Sequence, residues 1–285
     1  MTDQKANSIV QVAPFPGLLT PRHRVVTTDV QWAADSKDQP FLDHVFVRST
    51  AKKRSFVNVD FRYCTFDACY FRDCKFDSCD FTGCRFLGSN FHGSTFVGCK
   101  FDYASFERTQ IDSAILDHCC PAHENLKLRF ARTLRVNFQA LGDAASVNKA
   151  ILVELDATSI HLHKAWRSNE SYYRRKYAGV HRLNSFVDWL RFKTLDVLWG
   201  NGERPAKLAR SVVAFLLLIA VIDVISHRDP ALVASYWGAL LDSPQAFLGT
   251  GPSLFGGLAT AAIAFVRLVT FGLFVSILVR RFARR

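Results

Sequence analysis

Residues 56–120 read FVNVD FRYCT FDACY FRDCK FDSCD FTGCR FLGSN FHGST FVGCK FDYAS FERTQ IDSAI LDHCC, and every fifth residue is large and apolar. Two residues before most of these positions stands a small side chain, which is cysteine five times in succession from Cys64 to Cys84. A period of five fits neither an α-helix nor a β-strand, so this stretch predicts a repeat architecture.

A square coil satisfies this period, because four pentads then make one turn and each face contributes one large and one small side chain to the interior. Residues twenty positions apart would stack at about 4.7–4.9 Å, the spacing of neighbouring strands. Each turn buries its core only against the next, so both ends need caps. The predicted core comprises Phe61, Cys64, Phe66, Cys69, Phe71, Cys74, Phe76, Cys79, Phe81, Cys84, Phe86, Phe91, Phe96, Phe101 and Phe106.

The pattern resembles the pentapeptide-repeat family, whose A-[DN]-[LF]-x-x unit implies a right-handed quadrilateral β-helix. A weaker phase through Phe41, Phe46 and Ala51 extends the predicted β-helix to residues 41–121, or four coils. Residues 1–40 are polar and proline-containing and carry no signal-peptide pattern, so they predict a loose arm. Within that arm, residues 25–32 are a candidate edge strand that caps the first coil.

The cysteines of the coil have two interpretations, core packing and disulfide formation. Stacked positions such as Cys64 and Cys84 are close, but a spacing of about 4.8 Å exceeds the usual Cβ separation of about 3.8 Å in a disulfide. Core packing is therefore favoured, since free cysteine behaves as a small hydrophobe. With no repeated CxxC pair, and no carboxylate pair or nucleophile–base set elsewhere, we expect no metal, no cofactor and no enzymatic activity.

Charge is distributed unevenly along the 285 residues, whose net charge is +11. Residues 56–120 contain nine acids and six bases, a net charge of −3, whereas residues 121–210 are strongly basic. Such asymmetry indicates a membrane or nucleic-acid surface. Within the basic part, residues 172–177 (YYRRKY) could bind nucleic acid or anionic lipid, and without a nucleic-acid-binding fold signature we expect a solvated helix end near a membrane and no nucleic acid.

Residues 122–203 predict a basic helical linker. Apolar residues recur at helical spacing from Leu126 to Leu141, Gly142-Asp143 interrupts them, and a second run follows, so we predict a helical hairpin. Its turn resembles one tetratricopeptide-type unit, but with a single copy a generic helical hairpin is favoured. Residues 183–199 are amphipathic and include two tryptophans near basic residues, which is typical of an interfacial membrane helix.

Residues 204–285 predict a transmembrane hairpin with spans at about 208–225 and 255–279, since a span needs about 20 apolar residues. Basic residues precede the first span and follow the second, whereas the connection between the spans contains few charges. By the positive-inside rule both termini are cytoplasmic, in a plasma or bacterial inner membrane.

The connection, residues 233–252, carries a short apolar helix candidate over 233–241 and then Leu248-Gly249-Thr250-Gly251. This order resembles the two-transmembrane potassium-channel-like pore, in which a half-helix dips in and glycine-rich backbone lines a filter. The resemblance implies that these four residues are filter-like. Thr-Thr, Tyr and Asp of that family are replaced here by Ala246-Phe247, Thr250 and Pro252, which puts potassium selectivity in doubt.

Arg267 and Gly272 lie within the second predicted span, and they are candidates for lining the pore or for contacting a neighbouring subunit. An arginine at this depth usually faces a partner or water, and Asp223 is too near the outer end of its own span to serve. The sequence does not decide whether Arg267 faces the pore cavity or a neighbouring subunit.

Three functional interpretations follow. The first is an ion-channel-like homotetramer whose pentapeptide coil is a cytoplasmic regulatory or assembly module. The second is a membrane-anchored scaffold whose coil binds a protein partner. The third is a soluble DNA mimic of the kind known among pentapeptide-repeat proteins that protect gyrase, and the spans and weakly acidic coil argue against it.

Overall fold

The structure is a computed structural model that describes residues 24–251 and 255–282. In these residues a parallel β-coil of about four turns precedes a series of helices. The strands are β1 (Val26–Thr28), β2 (Ser36–Lys37), β3 (Val45–Val47), β4 (Thr50–Lys52), β5 (Ser55–Val57), β6 (Thr65–Asp67), β7 (Tyr70–Arg72), β8 (Lys75–Asp77), β9 (Arg85–Leu87), β10 (Thr95–Val97) and β11 (Ser105–Glu107). The helices are α1 (Ile115–His118), α2 (Glu124–Ala140), α3 (Ala144–Arg167), α4 (Ser171–Lys176), α5 (Val180–Trp199), α6 (Pro205–His227), α7 (Val233–Leu248) and α8 (Gly257–Phe282).

Parallel pairing in steps of one turn confirms the predicted square coil. One face is the sheet β1-β3-β6-β9-β11, a second is β2-β5-β8-β10, and a third is β4-β7. The fourth face has isolated bridges such as Asp60 with Asp80. Its rings stack as predicted, with centroids 5.1 Å apart for Phe61 and Phe81 and 4.9 Å apart for Phe81 and Phe101.

The small inward side chains both pack and bond between turns. The Cys84 thiol donates to the Phe61 carbonyl oxygen (2.8 Å), and the Ser94 hydroxyl donates to the Phe71 carbonyl oxygen (2.6 Å). A residue at this position must therefore be short enough to fit beside the rings and able to donate a hydrogen bond. All eight cysteines are free thiols, as the core-packing interpretation predicts.

Each corner of the coil lies two residues after an inward ring and has left-handed backbone torsions. Gly83 is one such corner, with φ of 72°. A Cβ atom there would lie 2.6 Å from the exposed Tyr63 ring of the preceding turn, so a larger residue at this corner would require that ring to move. The five-residue period alone does not reveal this requirement.

The first turn of the coil begins earlier than residue 41. Strand β1 pairs with β3 in residues that the sequence assigned to the arm, and β2 pairs with β5. The indole ring of Trp32 covers the first turn, since it contacts the Phe41 and Phe56 rings at centroid distances of 5.1 and 5.3 Å. Residues 1–23 of the predicted arm lie outside the described residues.

Helix α2 covers the last turn. Phe130 of α2 contacts Phe106 at the end of the aromatic column, with ring centroids 6.0 Å apart. The Asn137 side-chain amide then replaces the missing next strand, because its oxygen accepts from the Thr109 N–H and its nitrogen donates to the Thr109 carbonyl, both at 2.7 Å. Buried backbone groups at the open end of a coil need such partners.

The predicted helical hairpin consists of α2 and α3. Its turn contains Gly142, with φ of 73°, and Asp143, whose carboxylate accepts from the Ser146 N–H at 3.0 Å and so caps α3. Arg132 and Arg135 of α2 both contact Glu154 of α3, which holds the two helices side by side.

We expect Phe81→Asp to unfold the coil. The Phe81 side chain is fully buried between two stacked rings, so the variant loses an aromatic packing contribution of about 3–5 kcal/mol and buries an unpaired charge. Thermal unfolding followed by circular dichroism of the full chain measures the effect. Lys75→Ala, at an exposed position of the same coil, is the control and should melt with the wild type. Equal melting of all three proteins would contradict the core assignment.

The buried thiols predict a loss of stability at alkaline pH. Burial raises the pKa of the Cys64 thiol from 9.0 to about 12 and that of Cys69 to about 11. Because the folded-state pKa is the higher one, the contribution of these thiols to the free energy of unfolding is fully present below pH 9 and is lost progressively as the pH rises from 9 to about 12.

Comparison with a conservative variant isolates this effect. In Cys64→Ser, serine occupies the inward position as it does naturally at Ser89 and Ser94, and it does not titrate in this range. Its free energy of unfolding should therefore fall less steeply than that of the wild type between pH 8 and 11. Parallel curves would show that Cys64 contributes nothing to the pH dependence.

Candidate functional site

The C-terminal helices α6, α7 and α8 contain the residues that the sequence singles out as filter-like. At the end of α6, the Arg228 guanidinium joins α6 to α7, with Nε 2.7 Å from the Asp223 carboxylate and Nη2 2.6 Å from the Asp242 carboxylate. His227 Nδ1 also lies 3.3 Å from Asp223. Asp223 is thus engaged at the end of its own helix and does not reach Arg267.

From this cluster, α7 runs back alongside α6. Ala239 of α7 packs with Ala220 and Val224 of α6, where small side chains allow close approach. Further along, the Phe247 ring lies 5.9 Å from the Phe215 ring. Phe215 precedes His227 by twelve residues, so α7 descends about 18 Å along α6 at 1.5 Å per residue.

Helix α7 is longer than the predicted segment 233–241, which is a correction. It continues through Pro244 to Leu248, although proline removes the hydrogen bond to the carbonyl of residue 240. The Ser243 hydroxyl donates to the Leu240 carbonyl at 3.0 Å and thereby satisfies the acceptor that Pro244 leaves free. The Ser-Pro pair therefore allows the helix to continue where the sequence pattern suggests a break.

The predicted filter-like residues form the C-terminal end of α7. Gly249 is the C-cap, with φ of 69°, and the Thr250 N–H donates to the Gln245 carbonyl at 3.1 Å. The Leu248 carbonyl accepts a hydrogen bond from Arg267 Nη1 at 2.5 Å. The structure therefore brings Leu248, Gly249 and Arg267 together, while Pro252 lies outside the described residues.

The two candidates on α8 have different surroundings. Arg267 lies ten residues after the start of α8, about 15 Å along its axis, a depth that matches the end of α7. Gly272 is open, since a Cβ atom there would meet nothing within 4 Å. The sequence could not anticipate the partner of Arg267, because a backbone carbonyl leaves no signature in residue types.

The chain returns from the end of α7 to the top of α6 before α8 begins. The Phe255 ring lies 5.7 Å from the ring of His227, at the same end as the Arg228 cluster. Six residues lie between Leu248 and Phe255, and the seven Cα-to-Cα steps that join them can span about 23 Å when the chain is extended. Helix α7 is thus folded back between the two long helices, and the chain then returns past Gly249 and Gly251.

The opposite ends of α6 and α8 are attached to α5. Lys207 pairs with Asp196, and the Arg210 guanidinium donates to the Val197 carbonyl at 2.8 Å. From α8, Arg280 lies over the Trp199 ring, 5.9 Å from its centroid. A cavity of about 140 Å³ at this junction is lined in part by residues of α3, so the hairpin that caps the coil also borders the base of both long helices.

Helix α5 differs from the predicted amphipathic arrangement in one respect. Phe186 belongs to the stretch predicted to be an interfacial helix, but its ring packs against the chain itself, 5.2 Å from the Trp166 ring of α3. Leu183 and Val187 remain exposed, together with Val180, Leu190 and Val197.

The aromatic and basic run of residues 172–177 is partly internal. Tyr173 is buried, and its hydroxyl lies 3.3 Å from His161 Nδ1, while the Tyr177 hydroxyl lies 3.1 Å from His161 Nε2. Burial lowers the pKa of the His161 imidazole, with nearby Lys176 acting in the same direction. Two of the three tyrosines therefore pack against α3 and are not available to stack on a nucleic-acid base.

Comparison with known proteins identifies the coil. Residues 55–93 and residues 76–119 each match the family described as pentapeptide repeats. Together the matches leave the helical part of the chain unassigned. No curated protein matches the chain.

Solved structures provide two further similarities to the coil. A trypsin-treated form of QnrB1, a plasmid-mediated fluoroquinolone resistance protein, is 15% identical over 32% of this chain and 64% of that one, with a TM-score of 0.18. The pentapeptide repeat protein Rfr23 from the cyanobacterium Cyanothece 51142 is 8% identical over 30% and 72% of the two chains, with a TM-score of 0.16. The repeat pattern, the parallel coil and the family matches together show that the chain carries a pentapeptide-repeat module. Helices follow this module, and two of them are long and apolar enough to cross a membrane.

Proposed function

We propose that this protein is an ion-channel-like homo-oligomer, a tetramer embedded in the cell membrane, whose pentapeptide coil is a cytoplasmic assembly or regulatory module. The observation that carries the proposal is the folded-back helix α7. Two helices that only anchor a protein need a short connection, whereas here 16 residues descend between them and the chain returns to its starting level. A half-helix that ends at mid-depth and is followed by glycine-containing backbone is how known pores position carbonyl groups.

Exposure and charge support membrane insertion. Only 6% of the most apolar part of α8 is buried within the single chain, whereas the core helix of a soluble protein would be mostly covered. Basic residues concentrate at the α5 end of the hairpin, where Arg204, Lys207 and Arg210 precede or begin α6 and Arg280 ends α8. This asymmetry favours a cytoplasmic position for that end and for the coil.

The continuous packing from coil to hairpin supports a regulatory or assembly role. Helix α2 caps the coil, α3 packs on α2 and borders the base of α6 and α8, and α5 is bonded to α6. A movement or association of the coil would therefore be transmitted to the hairpin through packed side chains and ion pairs. A flexible linker would transmit neither.

A membrane-anchored scaffold is the second candidate, and the position of Arg267 favours it. Its guanidinium donates to the carbonyl of Leu248, the last residue of α7. A permeating cation would need that carbonyl oxygen as a ligand. In a scaffold this contact only fixes the end of α7, and the coil binds a protein partner. The DNA-mimic interpretation is not favoured, because the net charge of residues 56–120 is only −3.

Current recorded from the purified full-length protein in planar bilayers tests the proposal. We expect ionic current from the wild type and a tetramer after cross-linking in native membranes. A reporter fused after Arg285 and one inserted near Asp229 should lie on opposite sides of the membrane. Both reporters on one side would contradict the hairpin, and an inserted monomer or dimer without current would favour the scaffold.

A matched pair of variants tests whether α7 belongs to the pathway. Ala239 is buried against α6, so Ala239→Phe should push α7 away and abolish the current while insertion and coil melting persist. Leu241→Phe adds a ring nearby on a side chain that is 70% exposed, and it should conduct like the wild type. Equal currents from both variants would exclude α7 from the pathway.

A further inference from the structure

Arg267 is a positive charge without a carboxylate partner in the part of the chain that the structure describes. The hairpin from residue 205 to residue 282 contains three acids, Asp223, Asp229 and Asp242. Asp223 and Asp242 bind Arg228, and Asp229 accepts from the Ala231 N–H, all at the far end of the hairpin. Within the described residues, Arg267 donates to the Leu248 carbonyl and forms no ion pair, so its charge is balanced there only by the partial negative charge of a helix C-terminus.

The backbone at the end of α7 is shaped to admit this guanidinium. A Cβ atom on Gly249 would lie in steric conflict with Arg267 Nη1 and 3.5 Å from its Cζ atom. Glycine at this position therefore lets Arg267 reach the Leu248 carbonyl as well as supplying the positive φ of the C-cap. One of five guanidinium N–H donors is used in this bond, which leaves four for another acceptor.

The cavity beside Arg267 is lined by no negatively charged side chain among the described residues. A cavity of about 520 Å³ lies between α6, α7 and α8, and its lining is apolar apart from Arg267 and Thr270. At the α5 end of the hairpin, Arg210 and Arg280 carry further positive charge, since they contact the Val197 carbonyl and the Trp199 ring, whereas Lys207 is paired with Asp196. Any mobile ion at the end of α7 therefore meets net positive potential, since an uncompensated charge is poorly screened in such surroundings.

We infer that Arg267 makes the pathway select small monovalent anions, such as chloride, over cations. The inference rests on the proposed function, in which several copies of α7 surround one axis and their C-terminal ends face it. A ring of arginine side chains attracts anions and repels cations, as charged rings do in known pores. Arg267 is then the specificity-determining residue, and Gly249 is the positioning residue that admits its guanidinium.

Reversal potentials measured across a tenfold KCl gradient test this inference in the same planar bilayers. The wild type should reverse near the chloride equilibrium potential. Arg267→Gln removes the charge and should shift the reversal potential toward that of potassium, whereas Arg267→Lys keeps the charge and should remain anion-selective. Gly249→Ala displaces the guanidinium and should shift in the direction of Arg267→Gln, while Leu241→Phe, at an exposed position of α7, should reverse like the wild type.

The outcomes separate this inference from the proposal that it deepens. A wild type that conducts but reverses near the potassium potential overturns the role of Arg267 and leaves the pore standing. Unchanged selectivity in Arg267→Gln overturns it equally and assigns Arg267 to capping α7. An absence of current from the wild type and every variant overturns the pore itself, and the anion selectivity with it.

Discussion

A parallel coil cannot satisfy its own last turn, and the rest of the chain is arranged around that constraint. Each strand bonds only to the turns before and after it, so the final turn presents unpaired backbone groups and an uncovered ring. Asn137 supplies an amide in place of a further strand, and Phe130 covers the end of the aromatic column. Helix α2 is therefore part of the coil energetically, although its sequence is that of an ordinary amphipathic helix.

The same constraint links the coil to the C-terminal hairpin. Helix α2 is fixed on the coil and α3 is fixed on α2, so the position of α3 does not depend on the long helices. Trp166 near the end of α3 then packs against α5, and the α5 end joins α6 through Lys207 and Asp196. The capped coil is thus connected through α3 and α5 to the base of the two apolar helices.

The hairpin follows a different logic, in which helix ends are held by side chains from neighbouring helices. Arg228 joins the descending helix to α6 through Asp242 and Asp223, and Arg267 holds the end of that helix through one carbonyl. Both contacts place an arginine where a helix terminus or an acid can balance it. The difference is that Arg228 is neutralised by carboxylates, whereas Arg267 keeps its net charge at the level where α7 ends.

The sequence by itself determined the coil, because a strict period of five admits one regular solution and every inward position was readable from it. It also determined the helical hairpin at Gly142-Asp143 and the two long apolar helices, since each depends on local spacing and composition. The predicted edge strand over residues 25–32 is confirmed as β1, but only the tertiary structure revealed the left-handed corners and the cap at Asn137, because these depend on the approach of one turn to another. The continuation of α7 past Pro244 depended on a single hydroxyl bond from Ser243, which no periodicity encodes. For Arg267 the sequence left two positions open, and the structure gives the side chain a backbone partner, since a carbonyl brought near by folding is the same whatever residue carries it.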